Sequence, residues 1–273
     1  MKCKSLIVVG LAVIGMAGPS AQDGPVDARR RNLDQVLDVY VRDGLVYYRA
    51  LKSDRRLLDG YISGLGDTSL ASGSRAEQMA FWLNAYNALV LRTVIDNYPM
   101  AKRSNEFPAR SIRQIPGAFE TMKHQVAGRS LTPDQIEQTI LSGFSDPRLF
   151  LVLGRGAVGS GRLRSEAYDP ESIEKQLSEA AAECVSHSQC LVIDRAKNEI
   201  AVSSVFSWRS KEFASAYAEK APPAFGTRSP VERAVIAFVE PKLTAIEKDF
   251  LAKNDFKVEF SKFDWSLNDL TGR

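Results

Sequence analysis

EQMAFWLNAYNALVLRTVIDN, residues 77–97, is apolar over most of its circumference: Met79, Phe81, Trp82, Leu83, Tyr86, Leu89, Val90, Leu91, Val94 and Ile95 leave no continuous polar stripe. A surface helix carries one apolar stripe, so a helix of this pattern is wrapped by protein. At about 1.5 Å per residue it spans roughly 30 Å, the width of a small domain. Ser74-Arg75-Ala76-Glu77 reads as a capping box that starts it, and Pro99 stops it. The stretch therefore predicts a central core helix. Its informative residues are Asn84 and Asn87, spaced three apart on one face. A buried unpaired amide costs about 1–3 kcal/mol, so each needs partners. Either they tie neighbouring loop backbones to the helix, the reading favoured here, or they contact a ligand.

Outward from that helix, the pattern is mixed. Upstream, Ala28 to Val41 and Arg55 to Leu65 have helical spacing, with Leu45 to Tyr48 extended between them. Downstream, residues 99–116 read as an irregular loop, Phe119 to Val126 as a strand, and Thr132-Pro133-Asp134-Gln135 as a capping box opening a helix that carries Glu137. Leu149 to Leu153 is an apolar run that predicts a buried strand. A helix ends near Cys184; Leu191–Ile193 and Ile200–Val202 form a hairpin; Phe206 to Tyr217 turns helical at its end. Helices follow Ser229 and span Ala245 to Lys253, and Phe256 to Phe260 alternates as a strand. Without repeats or low-complexity linkers, this predicts a single α+β domain over residues 22–273, a buried central helix packed against a small, mostly antiparallel sheet.

The N-terminus, MKCKSLIVVGLAVIGMAGPSA, has Lys2 and Lys4, a compact apolar run and then small residues, the anatomy of a secretory signal peptide over residues 1–21. The apolar run is shorter than the ~20 residues of a spanning helix. An uncleaved anchor is the less favoured alternative; a secreted or periplasmic protein, with no transmembrane helix after signal removal, is the expectation. In that compartment Cys184 and Cys190 invite a disulfide. His187 between them makes a Cys-x2-His-x2-Cys array, but no fourth ligand is visible, so no metal is expected. The 36 basic and 33 acidic residues are too balanced to argue for nucleic acid.

The motifs also converge on a family. Ala80-Phe81-Trp82-Leu83-Asn84-Ala85-Tyr86-Asn87-Ala88 resembles the signature of the domain of unknown function 547. Gly44–Leu51, Gly128–Leu131 through Ile136-Glu137, Asp146-Pro147-Arg148, Glu166–Tyr168, Val205–Trp208 and Phe263–Asn268 resemble its other segments, in order. The resemblance implies a papain- or transglutaminase-like thiol site. This chain departs from that pattern where the chemistry is implied. A glutamate–histidine pair becomes Glu137-Gln138, a histidine position becomes Phe150, and a Cys-Gly-Ala-x-Ser-Cys-Pro loop becomes Arg155-Gly156-Ala157-Val158-Gly159-Ser160-Gly161.

A thiol nucleophile needs a cysteine and a base. Ser160 stands at the second cysteine position, yet a serine hydroxyl needs stronger activation and no base is evident beside it. It is a weak catalytic candidate. Gly154 to Gly159 also fits GxGxxG, but the stretch from Ser160 to Pro170 is polar and proline-stopped, with no βαβ unit around it. A tight loop is the better reading, and no cofactor is expected. Arg148, Arg155, Arg162 and Arg164 cluster around this loop, either as a solvated face or as an anion site. Trp82, Trp208 and Trp265 each sit in an apolar motif and are expected in the core. The composite expectation is a catalytically degraded binding or structural module. Its polar pocket would be lined by Asn84, Asn87, Glu137, Arg148 and Arg155 and take a small anionic ligand or a protein partner. The alternative is a hydrolase or acyl-transfer enzyme using Ser160.

Overall fold

A computed structural model of the chain describes residues 25–271. The expected leader, residues 1–21, lies outside the described residues. Helix α1 (Pro25–Tyr40) leads into a two-stranded ribbon, β1 (Val41–Arg42) and β2 (Leu45–Val46), then α2 (Tyr48–Ser53) and α3 (Arg56–Ser63). Helix α4 (Arg75–Asn97) is the predicted core helix, and every residue from Met79 to Leu91 along it is buried. Its start is the expected reciprocal cap: Glu77 N–H donates to Ser74 Oγ (3.2 Å) and Ser74 N–H to the Glu77 carboxylate (2.6 Å).

A hairpin of β3 (His124–Val126) and β4 (Arg129–Leu131) follows, then α5 (Pro133–Gln135), which widens into a π-helical turn over Ile136–Leu141. Helix α4 packs against α2, α3, α5, this π turn and α7 (Ile173–Ser186), which follows α6 (Arg148–Leu151) in the chain. The C-terminal part pairs β5 (Leu191–Asp194) antiparallel with β6 (Glu199–Ser203), continues through α8 (Ser204–Trp208), α9 (Ser210–Tyr217), α10 (Pro230–Val239) and α11 (Ala245–Ala252), and returns as β7 (Lys257–Ser261), parallel to β6. The protein is α+β, with its strands in small sheets. Among the described residues no helix is long and apolar enough to cross a membrane.

Two expectations differ from the structure. Leu149–Leu153 begins as the helical turn α6 and not as a strand. Asp146 Oδ1 accepts the Arg148 backbone N–H (3.1 Å) and so caps a turn; a short apolar run alone does not distinguish the two conformations. Of Phe119–Val126, only His124–Val126 is extended, because Thr121 and Met122 N–H both donate to Gly117 O (3.0 and 2.9 Å) and close a turn first.

The last described residues brace two remote segments. Val46 N–H donates to Asn268 O (2.8 Å) and Leu270 N–H to Val46 O (3.0 Å). Val158 N–H donates to Ser266 O and Gly159 N–H to Asp264 O (both 2.8 Å). The buried Tyr48 hydroxyl closes the join on Asn268 Oδ1 at 2.6 Å.

Candidate functional site

The two amides of α4 hold loops. Asn84 Nδ2 donates to Tyr168 O and accepts Tyr168 N–H on Oδ1, both at 2.8 Å. Asn87 Oδ1 accepts Gly154 N–H (2.8 Å), and its Nδ2 faces Val152 O at 3.5 Å. These bonds fix where the loop over residues 154–164 leaves the core. An Asn87→Ala variant leaves the buried Gly154 N–H unpaired and is expected to lose about 1–3 kcal/mol, measurable by urea unfolding; an unchanged midpoint would refute the tie.

Next to Asn87 in α4, Tyr86 turns its buried hydroxyl to Glu137 (3.3 Å). Glu137 is 6% exposed and shares one carboxylate oxygen between Arg155 Nη2 (2.8 Å) and Arg209 Nη2 (2.9 Å). Both arginines are equally sealed, at 3% and 4% exposure. Arg209 also meets Glu212 (3.2 Å), so the group balances as two cations against two anions. Arg155 Nη1 donates to Phe150 O (3.2 Å), and the Arg209 guanidinium lies 4.0 Å from the Phe150 ring centre. Burial alone would raise the Glu137 pKa; the Arg155 and Arg209 guanidiniums outweigh it and hold the carboxyl below the usual glutamate range. The Tyr86 hydroxyl moves the other way, pushed up by burial and by Glu137 beside it.

Two of the motif departures meet the retained glutamate in space. Gln138, at the other implied histidine position, is exposed, whereas Phe150 and Arg155 join Glu137 in one buried cluster. Ser160 sits at its edge, and its Oγ accepts the Arg155 backbone N–H (3.0 Å). The glycines of the loop are explained by close approach. Gly156 adopts φ +64°, and a Cβ on Gly161 would stand 1.5 Å from Leu151 O. The segment after Gly159 is irregular, so no helix N-terminus opens here.

The other loop arginines are dispersed and engaged. Arg148 pairs with Asp146 (2.6 Å) and Glu174 (2.9 Å), Arg162 with Asp43 and Glu183, and Arg164 with Glu166 and Glu179 (3.0 Å). Glu137 and Arg155 are brought together; Arg148, at the start of α6, is held apart against Glu174 of α7, and Asn84 and Asn87 serve the loop backbones. A cleft of about 470 Å³ opens on the other wall of the loop, lined by Ser160, Arg162, Glu183 and His187. Cys184 and Cys190, which also line it, are joined in a disulfide. Among the described residues no group of His, Cys, Asp and Glu is placed to hold a metal ion.

Arg209 carries no sequence signal as strong as the motif residues. Arg209 follows the Val205–Trp208 motif directly, and an arginine abutting an aromatic motif is the available hint. Trp208, expected in the core, is 45% exposed, because it ends α8 and its ring lies outside Arg155, 5.8 Å from the guanidinium. Trp82 is buried as expected.

No curated protein and no solved structure matches the chain. The resembling segments at residues 44–51, 205–208 and 263–268 fall outside the stretch that a family model matches. Residues 70–185 of the 273-residue chain match the family described as protein of unknown function, DUF547, and that stretch holds α4, Glu137, Arg155 and Ser160.

Proposed function

We propose that this chain is an exported, non-catalytic binding module built on a thiol-enzyme-like scaffold. The observation that carries the reading is the buried Glu137–Arg155–Arg209 cluster. Arg155 stands in it where the resemblance implies a thiol, against Phe150 at an implied imidazole position, and every charge in it is answered by another. A group so fully paired neither attacks a carbonyl nor moves a proton near neutral pH; it holds the loop over residues 154–164 in one conformation. The Ser160 hydroxyl serves the same loop through the Arg155 N–H.

A second reading, hydrolysis or acyl transfer through Ser160, draws on one fact: Ser160 shares its cleft with His187 and Glu183. Against it, His187 is exposed, and its Nδ1 lies 2.8 Å from Glu183 O and 3.1 Å from Ser186 Oγ, all within its own helix end. A fluorophosphonate probe separates the two. The expected result is no labelling of Ser160 beyond that of the unfolded chain. Labelling that requires the fold and disappears in Ser160→Ala overturns the binding-module reading.

A further inference from the structure

A cavity of about 330 Å³ opens where α1, α3 and the first turns of α4 meet the loop over residues 68–73. It shares no lining residue with the 470 Å³ cleft. Its walls are largely apolar: Tyr61, Leu65, Ala80 and Phe81 are buried, and Leu70 is half-buried. Tyr168 adds a wall that Asn84 fixes, since the Asn84 amide holds the Tyr168 backbone at both its N–H and its carbonyl. Small-molecule sites have this character: concave, largely preformed, mostly apolar, with a few placed polar groups. The placed group here is Arg29 of α1. Its Nη1 donates to Gly64 O (2.9 Å), and its side chain lies flat over Gly64, where a Cβ would stand 2.6 Å from Nε. Glycine at 64 therefore seats this arginine against the cavity. Among the described residues no carboxylate pairs with Arg29. The other charges on the lining are committed: Arg30 pairs with Asp169, and Glu77 accepts the Ser74 N–H in the α4 cap.

We propose that this cavity binds a small amphipathic carboxylate, its hydrocarbon or aromatic body against Tyr61, Leu65, Leu70 and Phe81 and its carboxylate on Arg29. Apolar walls call for an apolar body, because covering them removes that surface from water. A cavity at the lower end of the small-molecule range suits a short acyl chain or a single aromatic ring. Fixed charge decides the head group. An ammonium head would meet the repulsion of Arg29. A neutral head forgoes the charge-assisted bonds that a guanidinium offers. A carboxylate matches the planar donor fork of arginine and balances a cation that no described acid answers. Arg29 is already seated on Gly64, and the Tyr168 wall is tied by Asn84, so binding requires little further ordering.

The inference names a ligand class for the binding-module reading and rests on it, yet the two fail separately. Turnover at Ser160 sinks that reading, whereas this one is tested by titrating the protein with octanoate and 4-phenylbutyrate, each beside its matched alcohol and amine, followed by calorimetry. At least one carboxylate should bind saturably in the micromolar to millimolar range, and more tightly than its alcohol or amine. Arg29→Gln is expected to weaken that carboxylate about tenfold and leave the alcohol unchanged, with Arg29→Lys in between. Leu70→Glu, at a half-buried loop position, should weaken it by at least about tenfold by setting a like charge in the wall. A Ser160→Ala variant should bind as wild type does. Circular dichroism establishes that each variant is folded; if one is not, the other and the head-group comparison decide. Absence of saturable binding of both carboxylates, an alcohol or amine that binds as tightly as its carboxylate, or affinity undiminished in folded Arg29→Gln or Leu70→Glu each overturns the assignment.

Discussion

Glu137→Ala is expected to be among the most damaging single changes in this protein. It strands Arg155 and Arg209, both nearly fully buried, with only Glu212 left to answer them. Removing one partner of a buried pair costs about 3–5 kcal/mol, because the surviving charge stays in a poor solvent. For a domain of this size that corresponds to a fall in melting temperature on the order of 10 °C. The double variant Glu137→Ala/Arg155→Ala should lose much less than the sum of the two single losses, since the second change removes a charge that the first made unfavourable. A melting temperature within about 2 °C of wild type for Glu137→Ala would show that the cluster contributes little.

The same cluster sets a pH dependence. Glu137 has a folded pKa below its unfolded one, the arginines outweighing burial. Its contribution is therefore complete above the unfolded glutamate value, about 4.3, and is lost as pH falls through the lower folded value. Acid unfolding of wild type should begin below that point, and the Glu137→Gln variant should lack this part of the slope.

Gly161→Ala is the second large effect. The new methyl carbon would stand 1.5 Å from Leu151 O and 2.6 Å from Leu151 C, both backbone atoms that cannot rotate aside. Either the loop over residues 154–164 lifts from α6 or α6 shifts. Overpacking of this kind costs about 3 kcal/mol or more. Gly143→Ala is the control: a Cβ there meets nothing within 4 Å, and it should be close to neutral. Equal melting temperatures for the two variants would contradict this packing.

The central helix is legible in the sequence because its cap, its apolar circumference and its terminating proline all agree, and each is a local signal. The role of Asn84 and Asn87 follows from the cost of an unpaired amide, which holds whatever the partner. The partners themselves are not legible: Arg209 reaches Glu137 across 72 residues, and no periodicity encodes that meeting. The α6 turn departs from the expected strand because a side-chain cap from Asp146 outweighs the strand preference of an apolar run. Trp208 lies outside its expected place for a related reason. Its motif is apolar, but exposure depends on where α8 ends and on the Arg155 charge beneath it.

The brace formed by residues 264–270 has a mechanical corollary for the 470 Å³ cleft. One jaw of that opening includes Asp43, Gly44 and Leu45, and the other includes Ala157 to Gly161. The brace is hydrogen-bonded to both, at Val46 on one side and at Val158 and Gly159 on the other. Jaws bolted to a common bar cannot hinge independently. The width of the opening is therefore set by the bar, and widening it requires the bar itself to come away.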